Sequence, residues 1–181
     1  MPRFDAALWI PVAAASMPGV AFATQYLTVE QAQRQLYPAA ERFAPVALRL
    51  SPELRARIEA EAGAQADAGE PRIWQALRGD TLLGSFMVDE VIGKHELITY
   101  AVAIDPHGTV RGVEILDYRE TRGGEVRDPR WRAQFVGKGP RDPVRLGEDI
   151  QNLSGATLSC RHITDGVRRL LVLHRLALKA P

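Results

Sequence analysis

Four runs of alternating apolar and polar residues, joined by short turns, occupy the middle of this 181-residue chain. Arg72–Arg78 and Thr81–Val91 flank a Gly-Asp turn, while Leu97–Asp105 and Thr109–Tyr118 flank a turn that has proline early and glycine last. Such short connections favour antiparallel neighbours, because a parallel pair needs a crossover of a dozen or more residues. The sequence therefore predicts an antiparallel sheet. Its apolar face is expected to contain Val102, Ile104, Val110, Val113 and Ile115.

Residues 24–70 carry two helix patterns ahead of this sheet. A capping box at Thr28–Gln31 predicts the start of a helix, and this helix should end near Tyr37 because Pro38 follows. A second helix is predicted from the N-cap Ser51 to about Ala62, where a glycine follows. We interpret this part as a helical extension and loop, used for packing or for a partner, that precedes a domain spanning residues 71–181.

The C-terminal segment places four small residues, Ser154-Gly155-Ala156-Thr157, directly before a helical repeat. Either Thr157 or Ser159 is predicted to cap this helix, since a hydroxyl oxygen accepts from amides of the first turn. A hydroxyl beside free amides, at the positive end of a helix dipole, is a geometry that favours phosphate. With the sheet, this helix predicts an α+β fold: a twisted antiparallel sheet with packed helices. The positions that fall on one helical face are Ile163, Val167, Leu170, Leu171 and His174.

Composition excludes several classes of protein. The chain has 23 basic and 22 acidic residues, without the clustered basic excess of a nucleic-acid binder. Its single cysteine, Cys160, excludes an intrachain disulfide and any two-cysteine metal or haem motif. A helix N-terminus can lower the pKa of a thiol, which leaves a minor redox role for Cys160 open. The four histidines show no ligand spacing, so no metal site is predicted.

Residues 1–23 follow the order of a secretory signal peptide. A short basic start precedes an apolar run to Val20, and the segment ends in Ala-Phe-Ala. Pro11 and Pro18 interrupt the run, which disfavours the alternative of a buried N-terminal helix. We expect the chain to be exported and to work in the periplasm or on another extracytoplasmic side of a membrane.

Residues 153–159, Leu-Ser-Gly-Ala-Thr-Leu-Ser, resemble the flavinylation signature of the FMN-binding domain family. That family includes the C subunit of sodium-translocating NADH:quinone reductase and the G subunit of Rnf-type complexes. The resemblance implies that Thr157 carries FMN through a phosphoester bond made by an FAD:protein FMN transferase. Where the family has an acidic residue, this chain has Gln151, and Asp149 lies two residues upstream. Both covalent and non-covalent FMN therefore remain open.

Other segments between about residues 80 and 175 match the family in order. Residues 120–124, Glu-Thr-Arg-Gly-Gly, resemble a Glu-Thr-Pro-Gly loop that borders the flavin ring, with Arg122 in place of the proline. Gly93-Lys94 and the aromatic segment from Trp131 to Lys138 also have counterparts. The cofactor-binding residues that the resemblance implies are Thr157, Ser154, Gly155, Ala156, Glu120, Thr121, Gly123, Gly124, Lys94, Trp131 and Lys138.

Each of these residues has an assigned role and a structural alternative. Ser154 would orient the phosphate, Glu120 and Thr121 would bond polar edges of the isoalloxazine or ribityl chain, and the glycines would give amides and room. The two lysines would place positive charge near the cofactor, and Trp131 would stack on it. The alternatives are a helix cap, surface turns, solvated lysines and a core tryptophan.

These features predict an exported flavoprotein that relays electrons between a membrane-associated redox protein or complex and another redox partner. No catalytic residue is assigned, because the flavin would carry the redox chemistry. Two alternatives stay open. One is a small free-standing FMN reductase, and the other is an exported binding or adaptor domain with the same fold and no redox role.

Overall fold

The computed structural model describes residues 24–63 and 69–178. The segment predicted as a signal peptide, residues 1–23, lies outside the described residues. Within them, no helix is long and apolar enough to cross a membrane.

One antiparallel sheet forms the centre of the fold. It has five strands of five or more residues and a two-residue strand at one edge, in the order β1-β6-β5-β4-β3-β2. The predicted hairpins are confirmed, since β3 pairs with β4 and β5 with β6. The strands are β1 Thr24–Gln25, β2 Arg42–Val46, β3 Arg72–Arg78, β4 Thr81–Ile92, β5 Leu97–Ile104 and β6 Val110–Tyr118.

Helices cover both faces of this sheet. The described helices are α1 Val29–Leu36, α2 Pro52–Ala62, α3 Pro129–Arg132 and α4 Thr157–Leu173, with 3₁₀ turns at Gly124–Arg127 and Ala133–Phe135 and a π turn at His174–Leu178. α2 and α4 pack on one face, where all five residues predicted for the apolar face are buried. α1 packs on the other face, over a smaller cluster that includes Phe86 and Ala101.

The helix ends in the N-terminal part form as predicted. Thr28 Oγ1 accepts from the Gln31 amide at 3.2 Å, and Gln31 Oε1 accepts from the Thr28 amide at 2.8 Å. Ser51 Oγ accepts from the Leu54 amide at 3.2 Å, and Gly63 ends α2 with φ 65°. Local capping rules therefore suffice to place α1 and α2.

The description of residues 24–70 as helical needs a correction, because this part also supplies both edge strands of the sheet. β2 pairs with β3 over its whole length, although Pro45 lies inside it. Proline lacks the amide of a ladder bond, and inside a strand it is tolerated mainly on an edge of the sheet, which is where β2 lies. The proline and the lack of alternation leave this strand without a clear signal in the sequence.

α4 lies close against the sheet because of one glycine. A Cβ on Gly166 would stand 2.2 Å from the Tyr100 hydroxyl oxygen and 3.1 Å from Val91 Cγ1. Tyr100 in turn donates to Asp89 Oδ2 at 2.9 Å, and Arg169 of α4 pairs with the same carboxylate. This buried contact holds α4 close to β4 and β5.

Candidate functional site

An open cleft of about 490 Å³ lies where three segments meet. It is lined by residues 94–95 after β4, residues 120–123 after β6, and residues 155–159 at the start of α4. The sheet brings them together because β4 and β6 lie on either side of β5, both antiparallel to it, and therefore finish at the same end of the sheet. The volume falls in the usual range for ligand pockets, about 300–1,000 Å³.

The start of α4 has no side-chain cap, so the predicted cap at Thr157 or Ser159 is wrong. The amide of Ala156 bonds to the Leu153 carbonyl at 3.1 Å, and Gly155 has φ 88°, which closes a tight turn before the helix. Thr157 is thus already the first helical residue. The first-turn amides at positions 157–159 lack a side-chain acceptor among the described residues and lie at the cleft.

Thr157 presents an exposed hydroxyl at this point of the cleft. Its Oγ1 accepts a hydrogen bond from Asn152 Nδ2 at 2.9 Å. Asn152 is absent from the predicted site residues, because nothing in its spacing shows that the intervening turn brings it back to the helix. The pattern of a turn with glycine at its third position was the signal that could have indicated it.

The loop after β6 is tied to the helix through Tyr118. Its hydroxyl lies 2.5 Å from the Arg122 carbonyl and 3.0 Å from Ser159 Oγ. Gly123 fits against this group with φ 86°, and a Cβ there would stand 2.6 Å from the tyrosine oxygen. The cleft walls are therefore held at a fixed separation by one buried phenol.

Glu120 holds the turn after β4. Its Oε1 accepts from the backbone amides of Lys94, His95 and Glu96, the last at 3.0 Å. A Cβ on Gly93 would stand 2.7 Å from that oxygen, so a larger residue there would displace the Glu120 carboxylate. Burial raises the pKa of Glu120, but the three amides lower it by more, and the net pKa lies below its usual value. The structure thus gives Glu120 a role in shaping the cleft, with Oε1 occupied by backbone amides.

The cleft has an excess of positive side chains at its rim. Lys94 and Arg122 are exposed, and neither forms an ion pair with any residue that the structure describes. His162, one turn into α4, contacts the Ile92 carbonyl and links the helix to the end of β4. Cations near uncapped helix amides form a donor set that suits a phosphate group.

Of the eleven predicted site residues, seven line the cleft and four do not. The seven are Thr157, Gly155, Ala156, Glu120, Thr121, Gly123 and Lys94. Ser154 is exposed in the adjoining turn, and Gly124 begins a 3₁₀ turn that leads away.

Trp131 and Lys138 are placed away from the cleft, which corrects their predicted roles. Trp131 is buried, packs edge-on against Phe135 at 5.2 Å, and donates from Nε1 to the Gln151 carbonyl at 2.8 Å. Lys138 Nζ pairs with Asp149 Oδ2 at 2.9 Å. Both residues shape the segment that leads to the small-residue turn.

Asp149 belongs to the loop that precedes this segment. Its carboxylate accepts from the amides of Val144 and Arg145, at 3.2 and 2.8 Å, as well as from Lys138. Burial raises the pKa of Asp149, but these bonds lower it by more, so the net pKa lies below its usual value. The carboxylate is therefore an anion whose oxygens already accept hydrogen bonds. It does not take the place of the family's acidic residue beside the small-residue turn.

Cys160 has no access to the cleft. Its side chain is fully buried, and this burial raises the pKa of the thiol. The lowered pKa that a helix N-terminus can give is therefore absent, which argues against the minor redox role left open for Cys160. Among the described residues there is also no group of three His, Cys, Asp or Glu side chains that would bind a metal.

Residues 93–172 match the family model of the FMN-binding domain, and this range contains all three segments of the cleft. The C subunit of the Na(+)-translocating NADH-quinone reductase from Vibrio vulnificus strain YJ016 is 40% identical over 75 residues, covering 32% of this chain and 29% of the relative. The corresponding protein from Yersinia pestis is 39% identical over 75 residues, covering 32% of this chain and 28% of the relative. The matched part thus spans less than a third of these relatives.

A crystal structure of Shewanella oneidensis NqrC resembles the chain with a TM-score of 0.48 and 17% identity. The similarity covers 81% of this chain and 72% of the other.

Proposed function

Because residues 93–172 match the family model of the FMN-binding domain and part of the chain resembles the C subunits of Na(+)-translocating NADH-quinone reductases, we propose that the chain is an electron-transfer flavoprotein with FMN linked to Thr157. The observation that carries the proposal is the exposed Thr157 hydroxyl at the uncapped start of α4. The proposed linkage is a phosphoester between Thr157 Oγ1 and the FMN phosphate.

The residues at the cleft suit the phosphate of FMN. The amides at positions 157–159 are donors without side-chain acceptors in the described chain, and the helix dipole adds a partial positive charge there. Lys94 and Arg122 supply two further cations at the rim. Once linked to Thr157, the FMN phosphate is a diester with one negative charge, and its free oxygens could accept from these amides and cations.

Attachment would convert the Thr157 hydroxyl into an ester by group transfer from FAD. The Thr157 oxygen forms a bond to the phosphorus of the FMN half, the pyrophosphate bond of FAD breaks, and AMP leaves. The hydroxyl proton passes to a base of the FAD:protein FMN transferase that we propose as the maturation partner. The Thr157 side chain is exposed and accessible to such an enzyme.

Bound FMN would supply reversible electron transfer, while the chain binds it, orients it and sets its electrostatic surroundings. The rigid connection of Tyr118 to Ser159 would keep the walls of the cleft in place. We propose a membrane-associated redox complex as the donor, since the relatives are named as subunits of an NADH-quinone reductase. A location on the extracytoplasmic side is supported by the signal-like order of residues 1–23.

Intact mass of the full chain, produced together with a flavin transferase and then denatured, tests the proposal. We expect an added mass of FMN less one water on the peptide containing Thr157. Thr157→Ala is expected to lose it and Thr157→Ser to retain it, because serine keeps the hydroxyl. Thr81→Ala removes an exposed threonine hydroxyl outside the cleft and is the matched control.

The remaining outcomes distinguish the ester at Thr157 from non-covalent FMN, from a domain without FMN and from attachment at another residue. An unmodified but yellow native protein would contradict the ester and support non-covalent FMN. An unmodified and colourless protein would contradict the flavoprotein function and favour a binding or adaptor domain. Added flavin on Thr157→Ala would show that another residue carries the group.

A further inference from the structure

We propose that Asn152 positions the Thr157 hydroxyl for flavin attachment and donates to its oxygen during the reaction. The inference rests on the phosphoester at Thr157 and assigns a role to a residue outside the small-residue motif. It follows from one contact, the hydrogen bond from Asn152 Nδ2 to Thr157 Oγ1 at 2.9 Å.

The contact matters because the helix itself does not fix this hydroxyl. Thr157 is the first residue of α4, and its side chain makes no capping bond to the helix amides. Threonine in a helix divides between two χ1 wells, in part because its oxygen can bond to backbone carbonyls one turn earlier. At the first helical position that preceding turn is missing, so the bond from Asn152 is what selects one orientation of Oγ1.

Asn152 can do this because the backbone on each side of it is held. The Gln151 amide donates to Gln134 Oε1 at 2.7 Å, and the Gln151 carbonyl accepts from Trp131 Nε1 at 2.8 Å. On the other side, the Leu153 carbonyl accepts from the Ala156 amide at 3.1 Å. The Asn152 side chain is therefore attached to a fixed frame and not to a free loop, which makes it an effective positioning group.

The direction of the bond has a chemical consequence. Since the Asn152 amide donates, it occupies one lone pair of Oγ1 and leaves the hydroxyl hydrogen free for a base. As that proton leaves and the oxygen attacks phosphorus, negative charge on Oγ1 is stabilised by the amide donor. An acceptor at the same place would instead bind the hydroxyl hydrogen and compete with the base.

The bond lies at an exposed position, so its contribution is that of an ordinary neutral hydrogen bond. Losing it should slow attachment by about three- to tenfold, which corresponds to about 1 kcal/mol. The fold should be unaffected, because the Asn152 side chain is exposed and makes no contact in the core.

The test measures the rate of mass gain on the full chain with FAD and a purified flavin transferase. Asn152→Ala should lower kcat for attachment by about three- to tenfold, with little change in KM for the chain. Asn152→Asp should be at least as slow, because aspartate has the shape of asparagine but accepts and adds negative charge near the phosphate. Gln75→Ala removes an exposed amide on β3, away from the cleft, and should match the wild type.

Four results would overturn the inference. Wild-type rates in Asn152→Ala would show that the contact is unnecessary. Wild-type rates in Asn152→Asp would show that only the shape of the side chain matters, and a change in KM alone would assign Asn152 to transferase docking. Absence of flavin on the wild-type chain would refute the phosphoester and this inference together, whereas a modified wild type with an unaffected alanine variant refutes this inference alone. Equal melting temperatures show that the variants fold.

Discussion

The hydroxyl of Tyr118, at the end of β6, lies 3.0 Å from Ser159 Oγ in the first turn of α4. A tyrosine hydroxyl has one hydrogen, and here it points to the Arg122 carbonyl at 2.5 Å. Ser159 must therefore donate to Tyr118. These two hydrogen bonds join the loop after β6 to the first turn of α4. The width of the cleft therefore depends on the position of the Tyr118 side chain.

Gly123 is the residue that allows the phenol to sit there, and Gly123→Ala should open the cleft. The backbone has φ 86°, and the new Cβ would stand 2.6 Å from Tyr118 Oη and 3.2 Å from Ser159 Oγ. The positive φ alone costs about 1–2 kcal/mol, and displacement of a buried hydrogen-bonded group adds about 1–3 kcal/mol. We expect a loss of about 2–5 kcal/mol in the free energy of unfolding and weaker FMN binding. Urea denaturation and flavin titration measure the two effects.

Gly137→Ala provides a matched control. Gly137 has φ 83°, but no atom lies within 4 Å of its added Cβ. Its cost should be that of the backbone strain alone, with FMN binding unchanged. Equal losses for both variants would contradict a special close approach at Gly123.

The contribution of Glu120 should depend on pH. Burial raises the pKa of Glu120, but three backbone amides together outweigh it and hold this pKa below the ordinary value of about 4.3. A carboxyl with a lowered pKa in the folded state stabilises the protein above its unfolded pKa, and this stabilisation disappears as the pH falls through the folded pKa. Wild type should thus exceed Glu120→Gln in stability at pH 7, and the difference should shrink below about pH 4.3.

Urea denaturation of both proteins between pH 7 and pH 3 measures this difference. Glu148→Gln is the control, since the Glu148 carboxylate is exposed and accepts from no backbone amide in the described parts of the chain. A difference between wild type and Glu120→Gln that stays constant over this range would show that the charge of Glu120 is not what holds residues 93–96.

Most of the sheet and the ends of α1 and α2 follow from local rules, because their signals are local. Short turns fix the antiparallel hairpins, and the capping box at Thr28–Gln31 fixes the start of α1. β2 was missed since an edge strand gains its place from pairing with β3 and not from its own pattern. The close approach of Gly166 to Tyr100 could not be predicted either, because the two residues are far apart in sequence and no local pattern indicates their contact.

The site was predictable where it lies in contiguous segments and unpredictable where it depends on side-chain partners. The small-residue turn and residues 120–123 come together as the sequence motifs suggest. The motif could not show that Trp131 anchors the Gln151 carbonyl, or that Asn152 folds back onto Thr157. Nor could it show that Ser159 lies inside the first turn of α4, where its hydroxyl donates to Tyr118. Each of these hydrogen bonds depends on which side chains the fold brings close together, and sequence spacing does not show that.

The cations at the rim should contribute to flavin affinity in a salt-dependent manner. Arg122→Ala and Lys94→Ala should each raise the dissociation constant for FMN by about three- to tenfold at low salt, since each removes a charge at the cleft. At ionic strength near 0.5 M the Debye length falls to roughly 4–5 Å, so the difference from wild type should shrink.

Titration of the apoprotein with FMN at two salt concentrations measures this effect. Arg130→Ala removes a side chain that is 93% exposed and outside the cleft, and should change nothing. A salt-independent loss in Arg122→Ala would contradict an electrostatic role for that residue.

Gly166→Ala should destabilise the protein even though alanine is the better helix former. Helix propensity favours alanine by about 1 kcal/mol, whereas overpacking a core typically costs about 1–3 kcal/mol. The added Cβ would stand 2.2 Å from Tyr100 Oη, and the buried phenol cannot move easily because it donates to Asp89. The overpacking cost should therefore prevail, with a net loss of up to about 2 kcal/mol. In a Tyr100→Phe background the clashing oxygen is absent, so the loss should be smaller. Urea denaturation of the four proteins in this cycle gives the coupling energy, and additivity within about 0.5 kcal/mol would show that α4 does not approach the sheet at this glycine.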